Sequence, residues 1–275
     1  MTGPLGLQVP NRPEAFDRPV LRALARLRPR QVLFLGYAVE DWAGLGQHSA
    51  LAARLRARGS GTLLRCYARD IPQRDPAAWA AECARRATVF YAAEAGEVIP
   101  GNEMNWPGQA EGGHEDYARH RAWFETFAET YRSLRPRDRL HLPAPWGGWV
   151  GEGGERAAQY WQELLPVIPR FDVVDVHAYG EGWGLHQRCR ELLDTAGVER
   201  PMLVSECNRV PFDRLAREVA GLARLEGTVY FILDSPDEVF GQFSLLRDPG
   251  LMAAYAGVQR RGVLGVLGAQ PVAPR

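Results

Sequence analysis

The feature that most restricts this chain is its alternation. Short apolar stretches with strand character recur at "LGLQVP" (5–10), "QVLFLGY" (31–37), "TLLRCYA" (62–68) and "EVIPGNE" (97–103). Four more follow at "RLHLPAP" (139–145), "DVVDVHAY" (172–179), "PMLVSEC" (201–207) and "TVYFILD" (228–234). Between them run segments with apolar residues at helical spacing and Arg/Glu-rich opposite faces, such as "RPVLRALARL" (18–27) and "HSALAARLRA" (48–57). "DYARHRAWFETFAETYRSL" (116–134) and "FDRLAREVAGLARL" (212–225) have the same character. "PAAWAAECARRA" (76–87) is helical, and "TVFYAAE" (88–94) reads as its continuation, because a ninth strand would break the pattern. Eight strand–helix units in 275 residues predict an α/β fold, a (β/α)8 TIM barrel in a single domain. An open doubly wound sheet is the competing arrangement. Its dinucleotide-binding form wants G-x-G-x-x-G after the first strand, where this chain has "VPNRPEAF" (9–16). The glycines of "WGGWVGEGGE" (146–155) lack the spacing of a phosphate loop and predict a flexible crossing. The barrel is expected over 1–258, and the Gly-, Val- and Pro-rich stretch 259–275 as a poorly anchored tail.

Composition removes several kinds of chemistry. Formal net charge is zero and no basic or acidic block exists, so no nucleic-acid partner is expected. No run is long and apolar enough to span a bilayer, so no membrane partner is expected either. "MTGPLGLQVP" lacks the basic start and apolar core of a signal peptide, which predicts a cytoplasmic protein. Lysine is absent and all 33 basic residues are Arg. Schiff-base and pyridoxal-phosphate chemistry, and a Walker-type phosphate loop, all need that amine and are excluded. Cys66, Cys83, Cys189 and Cys207 are far apart, with no C-x-x-C pair, and read as buried thiols rather than a zinc or disulfide framework.

In such barrels chemistry is built at the carboxyl ends of the strands. Strand three carries Arg65 and Tyr67, two apart. Strand four ends in Asn102-Glu103, strand six in "VHAYG" with His177 and Tyr179 on one side, strand seven in Ser205-Glu206-Cys207-Asn208, and strand eight in Asp234-Ser235. Two carboxylates therefore stand on opposite sides of the mouth. A facing carboxyl pair is what glycosidic cleavage needs: one protonates the leaving oxygen while the other attacks the anomeric carbon. Strands four and seven favour the short separation of retaining enzymes, about 5–5.5 Å.

These strand ends resemble those of clan A of the glycoside hydrolases. "GNEMN" (101–105) is similar to the clan's strand-four Asn-Glu motif, "LVSEC" (203–207) to its strand-seven ending and "VHAYG" (176–180) to its strand-six His-x-Tyr. The resemblance implies that Glu103 is the acid/base, Asn102 a ligand of the sugar 2-hydroxyl, Glu206 the nucleophile, and His177 and Tyr179 supports of that nucleophile. It implies no cofactor and no metal. The chain departs from the clan at two places. "YFILDS" (230–235) offers Leu233 and Asp234 where many members carry a Trp platform, and Arg65 falls on strand three where several families carry an active-site Arg on strand two.

Tryptophan placement points the same way. Trp42, Trp106, Trp146, Trp149 and Trp183 follow strands, where flat aromatic faces can stack on sugar rings, whereas Trp79, Trp123 and Trp161 lie in helices and suit core packing. The candidate carbohydrate-binding set is thus Asn102, His177, Tyr179, Arg65, Trp106, Trp146, Trp149, Trp183 and Asp234, with Glu103 and Glu206 as the catalytic pair. His48, His114, His120 and His186 read as surface groups, and His141 as core or cleft. Two other classes stay open. Glu103, His177, Glu206 and Asp234 could bind Mg²⁺ or Mn²⁺ as in barrel isomerases or nucleases, and a barrel could bind carbohydrate without cleaving it.

Overall fold

In the computed structural model, residues 5–9, 18–36, 42–106, 115–145, 152–179, 184–222, 224–233 and 244–268 are described. Their strands are β1 (Gly6–Gln8), β2 (Gln31–Gly36), β3 (Gly61–Cys66), β4 (Glu97–Ile99), β5 (Arg139–Leu142), β6 (Val173–Tyr179), β7 (Met202–Asn208) and β8 (Leu225–Tyr230). All pair in parallel, each with its successor, and β8 pairs with β1 to close the barrel. Among the described residues eight helices surround it: α1 (Arg18–Leu27), α2 (Trp42–Arg56), α3 (Pro76–Tyr91), α4 (Tyr117–Leu134), α5 (Glu152–Leu164), α6 (Leu185–Thr195), α7 (Phe212–Gly221) and α8 (Pro249–Gly268). The (β/α)8 barrel read from the alternation is therefore the observed fold. None of the described helices is long and apolar enough to cross a membrane.

Local chemistry sets the helix starts. Asp75 caps α3 by accepting from Ala78 N at 2.7 Å, with Pro76 at the first helical position. Asp116 caps α4 by accepting from Arg119 N at 3.1 Å. The 88–94 stretch is helical as far as Tyr91, as the alternation required. Alternation along each strand then divides the apolar residues into two cores. The larger lies between sheet and helices and includes Val32, Phe34, Val98, Val176, Val204 and Cys207. A small separate cluster (Leu33, Leu63, Ile99, Val173, Leu203 and Val229) fills the barrel interior. The four cysteines are buried and unpaired by disulfides.

Three sequence expectations need correction. Strand eight runs over Leu225–Tyr230 rather than 228–234, so Asp234 lies beyond the strand and outside the described residues. Helix α5 begins at Glu152, so Gly153 and Gly154 are helical rather than part of a crossing loop. The expected boundary at 258 falls inside α8, whose Gln259 is buried. Gln259 Oε1 accepts from Leu5 N at 3.1 Å and its Nε2 donates to Leu5 O at 2.9 Å, while Tyr255 Oη donates to Leu5 O and Gly6 O at 3.1 and 3.0 Å. These bonds satisfy the backbone of the first strand, a task that composition could not reveal.

The turn into β4 sets the base of the loop that follows, and it depends on a close approach. A Cβ added to Gly96 would stand 2.2 Å from Tyr91 Cδ2, and Tyr91 Oη is fixed by bonds to Thr62 O and Glu97 O, each 2.8 Å. The ring cannot step aside without breaking both. Gly96→Ala is expected to cost about 1–3 kcal/mol of stability through overpacking, measurable as a lower urea midpoint with an unchanged slope.

Candidate active site

Four inward-facing elements deliver the site. On β6, Asp175, His177 and Tyr179 share the inner face with Val173. On β3, Arg65 shares it with Leu63. Glu206 on β7 should face the helices, because Leu203 points inward and strict alternation would pair Glu206 with outward Val204. A bulge changes this. Val176 pairs with Val204 but His177 pairs with Glu206, so Ser205 is an extra residue and Glu206 turns inward beside His177. Glu103 is not on a strand at all: it lies four residues beyond Ile99, in the loop after β4. Its backbone has φ 36° and is held by Glu103 N donating to Ala144 O at 3.0 Å and Trp106 N donating to Glu103 O at 2.9 Å. Trp79 of α3 ties the base of this loop by donating from Nε1 to Pro100 O at 2.8 Å.

These residues form one connected array. Arg65 Nη1 donates to Glu206 Oε1, and Tyr179 Oη donates to Glu206 Oε2, so both carboxylate oxygens are engaged. Arg65 Nη2 lies 3.3 Å from His177 Nε2. His177 Nδ1 is 2.7 Å from Glu103 Oε1. His177 Nε2 is 3.9 Å from Glu206 Oε1, so one imidazole stands between the two carboxylates. Arg65, Glu103, His177 and Glu206 are all buried, with Tyr179 half-buried at the mouth.

Electrostatics distinguishes the members. Burial pushes the Glu206 carboxyl up, but neighbouring His177, the Arg65 charge and the hydrogen bonds from Tyr179 and Arg65 outweigh it and hold the group below the usual carboxylate range. Burial and the Glu206 and Glu103 charges keep the Tyr179 phenol protonated well past its ordinary range. Burial alone would lower Arg65, yet Glu206 and Asp175 hold its proton more firmly than in water.

The structure brings Glu103, Glu206, His177, Tyr179 and Arg65 together, and the strand count that put Arg65 on the third strand is the observed one. Asn102 is half-buried beside Glu103, and its Oδ1 has no partner among the described residues. Trp106 is half-buried on the same loop. Trp146, Trp149, Trp183 and Asp234 lie outside the described residues, and so does His114. Trp79, Trp123 and Trp161 are buried in the helix layer, as expected. His48, His120 and His186, read as surface groups, are instead buried: His186 Nε2 pairs with Glu218 at 2.7 Å, and His48 and His120 pack against Phe34 and Tyr160.

Sequence reasoning missed two features. Asn208 pairs in register with Tyr179, is buried, and leaves Oδ1 without a partner among the described residues. Its only sequence signal was its place two residues past Glu206. The second feature is a polar ladder beneath the site, buried at His141 and Asp175 and partly exposed at its outer end. His141 Nδ1 meets Asp175 Oδ1 at 2.7 Å, His141 Nε2 meets Glu97 Oε2 at 3.2 Å, and Arg139 pairs with Glu97 at 3.3 Å and Glu226 at 2.7 Å. Its signal was alternation on β5, which puts Arg139 and His141 on one face. Burial opposes the charged imidazole, but Asp175 and Glu97 overcome this and raise the His141 pKa from 6.5 to about 9. The sign then follows. The folded state binds this proton more tightly than the unfolded chain, so the stabilisation is complete below the ordinary value of 6.5 and is lost as pH rises through about 9. Stability should therefore fall between neutral pH and pH ~10 by up to about 3 kcal/mol from this group, read as urea midpoints, with the His141 ring resonance titrating near 9.

No protein-family model matches the chain, and no curated protein matches it in sequence. Among solved structures it is similar to a glucosidase from Croceicoccus marinus, at 12% identity over 94% of this chain and 68% of that one, with a TM-score of 0.65. It is similar also to an endo-1,4-beta-mannanase from Rhizomucor miehei, at 10% identity over 96% of this chain and 95% of that one, TM-score 0.64. A beta-mannanase from Thermomonospora fusca matches at 14% identity over 88% of this chain and 82% of that one, TM-score 0.59. At such identities the likeness is one of fold. In fold, then, the chain is a (β/α)8 barrel like those of solved glucosidases and mannanases, the resemblance that its strand-end motifs had indicated.

Proposed function

We propose that this protein is a glycoside hydrolase that cleaves the O-glycosidic bonds of an oligo- or polysaccharide with retention of configuration. The observation that carries the reading is the shared imidazole: His177 contacts Glu103 at 2.7 Å and Glu206 at 3.9 Å. Across one ring, the two Oε1 atoms stay under about 9.5 Å, which fits glycoside-cleaving carboxyl pairs of either kind. The retaining assignment rests on the strand-end resemblance and the roles below. The barrel fold shared with a glucosidase and mannanases supports a glycosidase reading.

The roles follow from electrostatics. A general base works best with a pKa near the operating pH. Glu206, held below the carboxylate range with both oxygens engaged, is a poor proton acceptor but suits a nucleophile that must also leave. In the first step a Glu206 oxygen bonds to the anomeric carbon and the bond to the leaving oxygen breaks, with Glu103 supplying the proton. In the second, Glu103 takes a proton from water, the water oxygen bonds to the anomeric carbon, and the Glu206 ester bond breaks. Asn102 and Asn208 offer unpartnered buried carbonyl oxygens to sugar hydroxyls, and Trp106 offers an aromatic face. Arg65 already neutralises Glu206, the position a divalent cation would need in a metal-dependent barrel enzyme.

Two experiments test this. Glu206→Ala should lose about 10⁴-fold or more in kcat and form no adduct with a 2-fluoro glycoside. Glu103→Ala should still form one with an activated aryl leaving group and regain turnover with azide. An adduct on Glu103 would reverse the roles, and a product of inverted configuration would exclude the double displacement. Separately, Tyr179→Phe removes a hydrogen bond that lowers the Glu206 pKa, so the acid limb of kcat/KM should move to higher pH.

A further inference from the structure

Asp175 lies inside the barrel where its neighbours are apolar. Val173, two residues before it on the same face, and Leu203, its partner in register on β7, both belong to the interior cluster. A carboxylate there is costly unless it has a task. Its Oδ1 is taken by His141, but Oδ2 is buried and has no hydrogen-bond partner among the described residues. Arg65 shows the complementary feature: two of its nitrogens serve Glu206 and His177, while its Nε is buried without a partner. The two are brought together by His177: Asp175 stands two residues before it on the same inner face of β6, and Arg65 Nη2 is 3.3 Å from the His177 ring, without direct contact between guanidinium and carboxylate. The Asp175 charge, after that of Glu206, favours the protonated guanidinium.

Building on the glycosidase reading, we propose that Asp175, gripped by His141, is a positioning residue for Arg65: it shares the guanidinium charge with Glu206 and stays as its counter-ion while Glu206 carries the sugar. The physical need is specific to a covalent mechanism. When Glu206 becomes an ester it loses its negative charge, and a buried guanidinium is left facing a neutral group. A second, permanent carboxylate below removes that penalty. It also keeps Arg65 from binding Glu206 so tightly that the carboxylate loses nucleophilicity. The other charged groups in reach are accounted for. Glu206 faces Arg65 from β3 and His177 and Tyr179 from β6, with Glu103 reached through His177. Asp175 faces His141 from β5, which is in turn bound by Glu97 from β4, and Glu97 by Arg139.

The test compares Asp175→Asn, His141→Gln and the packing control Ile99→Val, each checked for folding by its thermal midpoint. In Asp175→Asn, Arg65 is left to Glu206 alone, so the acid limb of kcat should move down by about one pH unit. With it kcat should fall about tenfold to a hundredfold, and KM should change little. His141→Gln leaves the Asp175 charge unbalanced and draws Arg65 away, so its limb should move up. Ile99→Val should leave the limb in place. Loosening of the site alone would relax Glu206 toward its ordinary pKa and move both limbs up, and that result overturns the proposal. The Glu206 carboxyl should also be followed directly by carbon NMR in the free protein, which needs no substrate. A Glu206 titration unmoved in both variants overturns the coupling whether or not the enzyme cleaves sugars. A wild type without glycosidase activity whose Glu206 titration still shifts in opposite directions overturns the glycosidase reading and leaves the charge coupling standing.

Discussion

Arg65 is a permanent cation inside a barrel, and the site is arranged around satisfying it. A buried guanidinium without anionic partners would be among the most unfavourable groups a protein could hold. Here Glu206 meets one nitrogen, His177 another, and the Asp175 charge lies below. Glu206 in turn stays ionised although buried, because Arg65 and Tyr179 both donate to it. From that pair outward, each group limits the next. Arg65 also lies against His177 Nε2, and His177 Nδ1 in turn meets Glu103.

The barrel supplies the rigidity this array needs. Six apolar side chains fill its interior and separate two polar layers, the Arg139–Glu97–Glu226 group near the strand starts and the carboxylates at the mouth. His141 and Asp175 cross that apolar layer and connect the two. Closure of the ring is itself secured from outside: α8 reaches back to bind the backbone of β1 through Tyr255 and Gln259. The site therefore depends on a helix at the far end of the chain that touches none of its members in the contacts described.

Much of this was legible beforehand, for identifiable reasons. Strand and helix periods are local properties, so the eight units and their order could be counted, and Arg65, His177 and Tyr179 could be assigned to strands and faces by alternation. Histidines on helices were misread because helical spacing alone does not say which polar residue turns inward. His186 is buried because Glu218 of the next helix offers it a partner, and sequence cannot show that pairing. The same holds for Gln259, polar and in a Gly-rich stretch, yet buried because the first strand has backbone groups to satisfy.

The sequence by itself determined that the chain alternates eight times, and which strands carry Arg65, His177, Tyr179 and Glu206. It also put an Asn-Glu pair at the end of a fourth strand, although that strand stops at Ile99 and the pair lies in the loop beyond it. Whether those side chains meet was decided by tertiary structure. Strict alternation from Leu203 would have sent Glu206 into the helix layer. The extra residue at Ser205 turns it inward, and that bulge exists only in the pairing of β7 with its neighbours on both sides. Glu103 likewise reaches His177 from beyond its strand, on a backbone in the left-handed region held by Ala144 and Trp106. A period is a property of one segment, but a bulge and a loop held by another strand's carbonyl are properties of segments in contact.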